Sequence, residues 1–188
     1  MQRLGEEGLI DQPLLFPTFG IAGYKNSGKT ALIVALVREL VGRGWRVGTI
    51  KHAHHAFDID HPGKDSYLHR AAGASEVIVA SARRVAHIRE LNDLSQPGLD
   101  ELVGRMSGVD LVLVEGWKSG THPRLELRRG ATPAPAIAGT VPGILAIVSD
   151  APLPGEALPV LARPNVPVIA DFILDAVGLP RRPSYKSG

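Results

Sequence analysis

Gly23-Tyr24-Lys25-Asn26-Ser27-Gly28-Lys29-Thr30 is the stretch that decides the fold. It meets the pattern G-x-x-x-x-G-K-[ST] in full, and its positions have separate physical jobs. The loop must wrap so closely around a phosphate that successive backbone N–H groups point inward, and side chains at Gly23 and Gly28 would block that approach. Lys25, Asn26, Ser27 and Ala31 complete the run of amides. Lys29 sets a point charge on the outer phosphates, and Thr30 offers a hydroxyl to magnesium. A chance match in a chain of this length has odds on the order of 1 in 100 or less.

The flanks agree with the loop. Phe19 to Ala22 is a short apolar strand, and Leu32, Ile33, Leu36, Val37 and Leu40 form one helical stripe that Gly42 and Gly44 terminate. The helix therefore opens on the cradle, and its unpaired N–H groups and positive dipole end add to the anion site. Arg46 to Lys51 reads as a second strand, followed by an irregular segment, His52 to Asp65, rich in histidine, aspartate and glycine. Ser66 to Ala72 reads as a helix, and Glu76 to Ala80 and Arg84 to Arg89 as two strands that neighbour in the sheet. Leu99 to Met106 is helical, and Val109 to Val114 is the unbroken apolar run of a strand buried on both faces.

Further on, Arg124 to Leu127 alternates charged and apolar residues as a half-exposed strand does, and Ala131 to Pro142 is a loop. Ile144 to Val148 and Val166 to Ala170 supply two more buried strands, and Phe172 to Val177 the last helix. Strands alternating with helices predict an α/β protein: the three-layer P-loop NTPase fold, with a mostly parallel central sheet and helices on both faces. One nucleotide-binding domain is expected over 18–180, between a flexible segment at 1–17 and a flexible tail at 181–188.

Composition narrows the function. Apolar residues at 44% and charged residues at 21% suit a globular domain. Lysine plus arginine exceed aspartate plus glutamate by 21 − 19 = 2, far from the concentrated basic face of a nucleic-acid binder. The absence of cysteine excludes disulfides, thiolate metal sites and cysteine nucleophiles. No apolar run reaches the roughly 18 residues of a membrane helix, and the start carries Glu6-Glu7 rather than a secretory signal. A cytoplasmic protein without nucleic-acid or membrane partners is the economical expectation.

Magnesium in such folds draws on an acidic residue at the end of a second buried strand. Glu115, after Leu111 to Val114, fills that position, with Asp110 at the strand's other end a weaker choice; a plain solvent-facing carboxylate is the alternative for Glu115. Asp58, Asp60 and Asp65 lie in the segment that would sense the terminal phosphate. His52, His54, His55 and His61 could serve a transition metal, although their spacing matches no standard zinc motif. Asp150 follows the strand Ile144 to Val148 at a sheet edge where ligands bind, and its carboxylate can accept two hydrogen bonds from guanine. A turn aspartate before Pro152 is the equal alternative.

Three segments carry a more specific likeness. IKHAHHAFDIDHPGKDSYLHRAAGA at 50–74, LVLVEGWK at 111–118 and IVSDAPL at 147–153 resemble, in order, the signatures of the molybdopterin-guanine dinucleotide biosynthesis protein MobB family. The likeness spans about residues 18 to 178. It implies a homodimeric GTP- and Mg2+-binding protein with weak GTPase activity. Such a protein assists the molybdenum cofactor guanylyltransferase that joins GMP to molybdopterin. It also implies Lys29 and Thr30 on phosphate and magnesium, Asp60 and Glu115 in a catalytic, metal-binding role, and Asp150 on guanine. The histidine-rich segment could meet the anionic phosphate of molybdopterin itself.

One neighbouring class, the dimeric P-loop ATPases of the deviant type, places a second lysine directly after the first motif glycine. Here Tyr24 stands there and Lys25 follows one step later, which leaves a lysine reaching across the dimer in doubt. Slow hydrolysis is then expected. The alternative is a P-loop small-molecule kinase or ATPase, for which Arg83, Arg84 and Arg89 would have to form a closing lid.

Overall fold

The computed structural model describes residues 14–53, 57–91, 95–129 and 135–184. Two compact units are formed, one from the N-terminal part through His52 together with Leu99 onward, the other from Ala53–Gly98.

The larger unit is built on a six-stranded sheet of β1 (Thr18–Ala22), β2 (Val47–Lys51), β5 (Leu111–Glu115), β6 (Arg124–Arg128), β7 (Ile144–Ser149) and β8 (Val160–Ala162). Their order is β2-β5-β1-β6-β7-β8, and each neighbouring pair is parallel. Parallel neighbours need crossovers, and these put helices on the faces. The period-2 alternation of β5 shows the outcome. Leu111 and Leu113 pack with Leu32, Leu36 and Leu40 of α1 (Lys29–Gly42) and with Ile169 and Ile173 of α4 (Val166–Ala176). Val112 and Val114 face the other way, onto Leu99 and Val103 of α3 (Leu99–Gly104) and onto Leu14 and Phe16. Each fully buried aliphatic side chain contributes about 1.5–3 kcal/mol by leaving water, so the three layers hold one another.

Arg43 ties α1 to α4. Its Nε donates to Glu39 at 2.8 Å, its Nη2 to Pro167 O at 3.2 Å, and its Nη1 to Asp171. Within the segment assigned to the C-terminal tail, the Arg182 guanidinium lies 3.6 Å from the Trp45 ring centroid and Ser184 donates to Glu39 at 2.8 Å. No helix among the described residues is long and apolar enough to cross a membrane.

Three expectations are corrected. Val166 to Ala170 is the first turn and a half of α4 rather than a strand, and the last strand is β8 instead. The run Val-Pro-Val-Ile-Ala is too short to show its period; joined to Phe172 to Ala176 it puts Ile169, Ala170, Ile173 and Leu174 on one buried stripe. Arg124 to Leu127 is buried, not half-exposed, because β6 lies between β1 and β7, with Arg124 donating to backbone carbonyls and Glu126 accepting from backbone N–H groups and from Arg128. The third concerns β3 (Glu76–Ala80) and β4 (Val85–Arg89), which pair with each other antiparallel but form their own two-stranded sheet.

That hairpin belongs to the smaller unit with α2 (Asp65–Ala71). Arg70 organises it: Nη2 donates to Asp58 at 2.9 Å, Nη1 to Glu90 at 3.0 Å, and Nε lies 3.5 Å from Asp60 Oδ2.

Candidate functional site

The loop from Gly23 to Thr30 joins β1 to α1, and its glycines are used as their chemistry requires. A Cβ on Gly23 would come within 2.8 Å of both Leu127 O and Ser27 Oγ. Gly28 is the N-cap of α1 at φ 93°, a left-handed conformation that penalises any other residue. Asn26 sits at φ 63°, where asparagine is one of the few side chains tolerated. Lys29 Nζ donates to Gly23 O at 2.9 Å and Tyr24 O at 2.7 Å, so the ammonium bridges the two ends of the loop. Lys25, Asn26 and Ala31 are exposed beside it, while Ser27 is buried with its hydroxyl unpartnered among the described residues.

Glu115 ends β5, in register with Ile21 of β1 and Lys51 of β2. The parallel strands therefore deliver it to the edge that carries the loop. Thr30 Oγ1 donates to its Oε1 at 2.9 Å, and Lys51 Nζ lies 3.8 Å from the same oxygen. A cavity of about 460 Å³ opens beside this pair, lined by Thr30, Val34, Arg38, Lys51 and Glu115 among others. Asp110, at the far end of β5, is instead clasped by Arg46, whose backbone N–H donates at 2.9 Å and whose Nε donates at 3.1 Å; this holds the carboxyl down at about 2.

The electrostatics are those of an anion site. Burial pushes the Lys29 ammonium below the ordinary lysine range; Glu115 opposes that shift, and Lys118 and Lys51 reinforce it as like charges. Lys118 Nζ also lies 5.9 Å from the Tyr24 ring centroid. Its loop is organised by Arg124, which is fully buried and donates to the carbonyls of Lys118, Ser119, Gly120 and Pro142 at 2.8–3.1 Å. A glycine-gated loop at a helix start, three lysines and a hydroxyl-carboxylate pair are the chemistry that suits a polyphosphate with a hard cation, for which oxygen ligands are right.

Asp150 directly follows β7 and is exposed at the same sheet edge. In the smaller unit Asp60 Oδ1 accepts from Ser66 Oγ at 2.9 Å and from the His61 N–H at 3.0 Å. His54 and His55 lie outside the described residues, and among those described no group of three or more His, Cys, Asp or Glu could hold a metal ion. Of the lid arginines a kinase would need, Arg89 is paired with Glu76 across the hairpin.

Arg163 is the neighbour of the cradle that sequence reading passed over. Its guanidinium rests against Gly28. The signal was there: a strand at Val160–Ala162 puts residue 163 at the ligand-binding edge, but the apolar run at 166–170 drew the strand assignment away.

Together the parallel sheet, the β1-loop-α1 cradle and the acidic strand end define the class: an α/β protein of the P-loop NTPase fold. Residues 18–150 match the family model described as molybdopterin guanine dinucleotide synthesis protein B, MobB. The chain is 40% identical over 159 residues to a molybdopterin-guanine dinucleotide biosynthesis adapter protein of Haemophilus influenzae, covering 84% of this chain and 87% of that one. It is 39% identical over 164 residues to the adapter protein of the same description from Escherichia coli K12, covering 86% and 93%. A crystal structure of molybdopterin-guanine biosynthesis protein B superposes with a TM-score of 0.67 at 30% identity, covering 86% of this chain and 99% of that one. This chain belongs to the MobB family.

Proposed function

We propose that the chain is a GTP-binding adapter of molybdopterin-guanine dinucleotide synthesis, working as a homodimer beside the guanylyltransferase that joins GMP to molybdopterin. The observation that carries the nucleotide reading is the cradle itself. Lys29, at one end of a glycine-gated loop, is bonded to the carbonyls of Gly23 and Tyr24 at the other, and Thr30 is bonded to a strand-end carboxylate. The adapter role rests on the family and on the relatives that bear that description.

The backbone amides from Gly23 to Ala31 bind the β- and γ-phosphates, Lys29 neutralises the outer oxygens, and Asp150 selects guanine through two accepted hydrogen bonds. Thr30 and Glu115 hold magnesium, which when bound supplies charge that the lysines alone do not. A metal role for Asp60 is proposed on the resemblance alone, since Ser66 and Arg70 already engage its carboxylate within its own unit. Tyr24 stands where the deviant ATPases carry their cross-dimer lysine, which supports slow hydrolysis and a role in partner docking rather than turnover.

Calorimetric titration with GTP, GDP and ATP, with and without magnesium, tests this. Magnesium-dependent binding of GTP and GDP in preference to ATP is the expected result. No heat with any of the three would sink the nucleotide reading, and equal affinity for ATP would sink the choice of guanine. Co-elution with the guanylyltransferase on gel filtration tests the adapter role.

A further inference from the structure

Arg163 stands one residue past β8, and the way it is held is specific. Its backbone N–H donates to Ser149 O at 2.8 Å, which locks it to the end of β7. The Asn165 N–H closes a turn on Ala162 O at 3.0 Å, and the ring of Pro164 within that turn limits the backbone's freedom. From that fixed base the side chain runs to the N-terminus of α1. A Cβ on Gly28 would lie 3.1 Å from its Cζ and 3.3 Å from its Nη1, and would collide outright with Nη2. The guanidinium therefore occupies the space that the absent side chain of Gly28 leaves open.

The seat of the guanidinium is the start of α1. The first-turn N–H groups of α1 and the Lys29 ammonium share this end of the helix. An anion bound at these N–H groups would meet the guanidinium as well. The planar fork of arginine matches phosphate oxygens, which a lone ammonium serves only as a point charge.

Topology gives the direction of the grip. Thr30 and Glu115 hold the β5 side of β1, whereas Arg163 arrives from β8, beyond β6 and β7. Resting on the nucleotide reading above, we propose that Arg163 is a second cationic clamp on the phosphate chain of the bound nucleotide. It is supplied in cis from the β8–α4 junction and opposes the magnesium side. On this assignment Gly28 serves two needs at once: the left-handed turn of the loop and the seat of the guanidinium.

The test uses the full chain and its Arg163→Ala and Arg163→Lys variants. GTP, GDP and sodium tripolyphosphate are titrated in magnesium over a series of salt concentrations, and each unliganded protein is melted. Arg163→Ala should weaken all three ligands by about 10- to 100-fold, the range of one charge-assisted contact. It should also flatten the salt dependence, and leave the unliganded melting temperature near the parent's. Arg163→Lys should recover part of the loss. Parental affinity of Arg163→Ala for tripolyphosphate overturns the clamp, even if GTP binding falls, since that pattern assigns the residue to the base. A lowered melting temperature with no recovery in Arg163→Lys also overturns it, in favour of packing against Gly28. If the parent binds none of the three ligands, the nucleotide reading fails and the clamp falls with it, a result distinct from a binding parent with an indifferent variant.

Discussion

Thr30 Oγ1 donates to Glu115 Oε1 at 2.9 Å, a bond between residues 85 positions apart that joins the start of α1 to the end of β5. Glu115 Oε2 is within 3.2 Å of the same hydroxyl. On the magnesium assignment proposed above, this hydroxyl and carboxylate would both be ligands of a small hard cation that keeps several of its waters. The cavity beside them would give those waters room.

Glu115→Gln keeps the shape and the acceptor for Thr30 but removes the charge. It should raise the magnesium concentration needed for half-maximal GTP binding by about 10- to 100-fold, the range for lost support of a metal ligand, with little change in melting temperature. A magnesium titration followed by a fluorescent guanine nucleotide reads this out. A curve that overlays the parent's would release Glu115 from the role.

Lys29 gives a pH dependence whose sign follows from its surroundings. Burial first, then Lys118 and Lys51, disfavour its charged form, so in the unliganded protein it sheds its proton at lower pH than a free lysine. Phosphates bound beside it would favour the charged form. Nucleotide affinity should therefore decline as pH rises through the lowered Lys29 value, with proton uptake on binding in that range. Lys29→Ala should lose at least about 100-fold in affinity, and Lys29→Arg should retain whatever affinity it has at alkaline pH. Calorimetry in two buffers of different ionisation enthalpy detects the proton, and a flat profile would remove Lys29 from the phosphates.

The reach of sequence reading depended on how local each signal was. Gly23 to Thr30 and Leu111 to Glu115 announce themselves, because a glycine-gated anion loop and a doubly buried strand are written in consecutive residues. Arg124 and Glu126 misled, because alternation on a central strand looks the same as on an edge until the partners are known. Those partners are distant: Glu126 accepts the N–H groups of Ile137 and Ala138 at 3.0 and 2.8 Å. Val166 to Ala170 misled in the same way, and the error hid Arg163, whose significance lies in a contact with Gly28 that only the closed sheet creates.

Asp150 follows β7 at the ligand-binding edge, on the opposite side of β1 from Glu115. If it accepts guanine N1–H and the exocyclic amine, Asp150→Asn replaces one acceptor with a donor, a mismatch for guanine and a match for xanthine. The ratio of GTP to xanthosine triphosphate affinity should fall by about 10- to 100-fold, measured by competition against a labelled nucleotide. Equal loss for both would assign Asp150 to the turn before Pro152.

Arg124 connects stability to the site. Its guanidinium is fully buried, burial holds its pKa below the usual arginine range, and it satisfies the carbonyls of Lys118, Ser119, Gly120 and Pro142. Arg124→Met fills much of the same volume but leaves those acceptors to find water or go without. The cost should be about 3 kcal/mol, the sum expected for several partly rescued buried acceptors, or roughly 6–12 °C in Tm for a domain of this size. Because the loop that frays carries Lys118 over Tyr24 of the cradle, nucleotide affinity should fall as well. Lys118→Ala should reproduce the affinity loss without the loss of Tm. Calorimetric melts beside nucleotide titrations of the two variants separate the effects, and an Arg124→Met protein that melts with the parent would mean the loop holds its shape without the guanidinium.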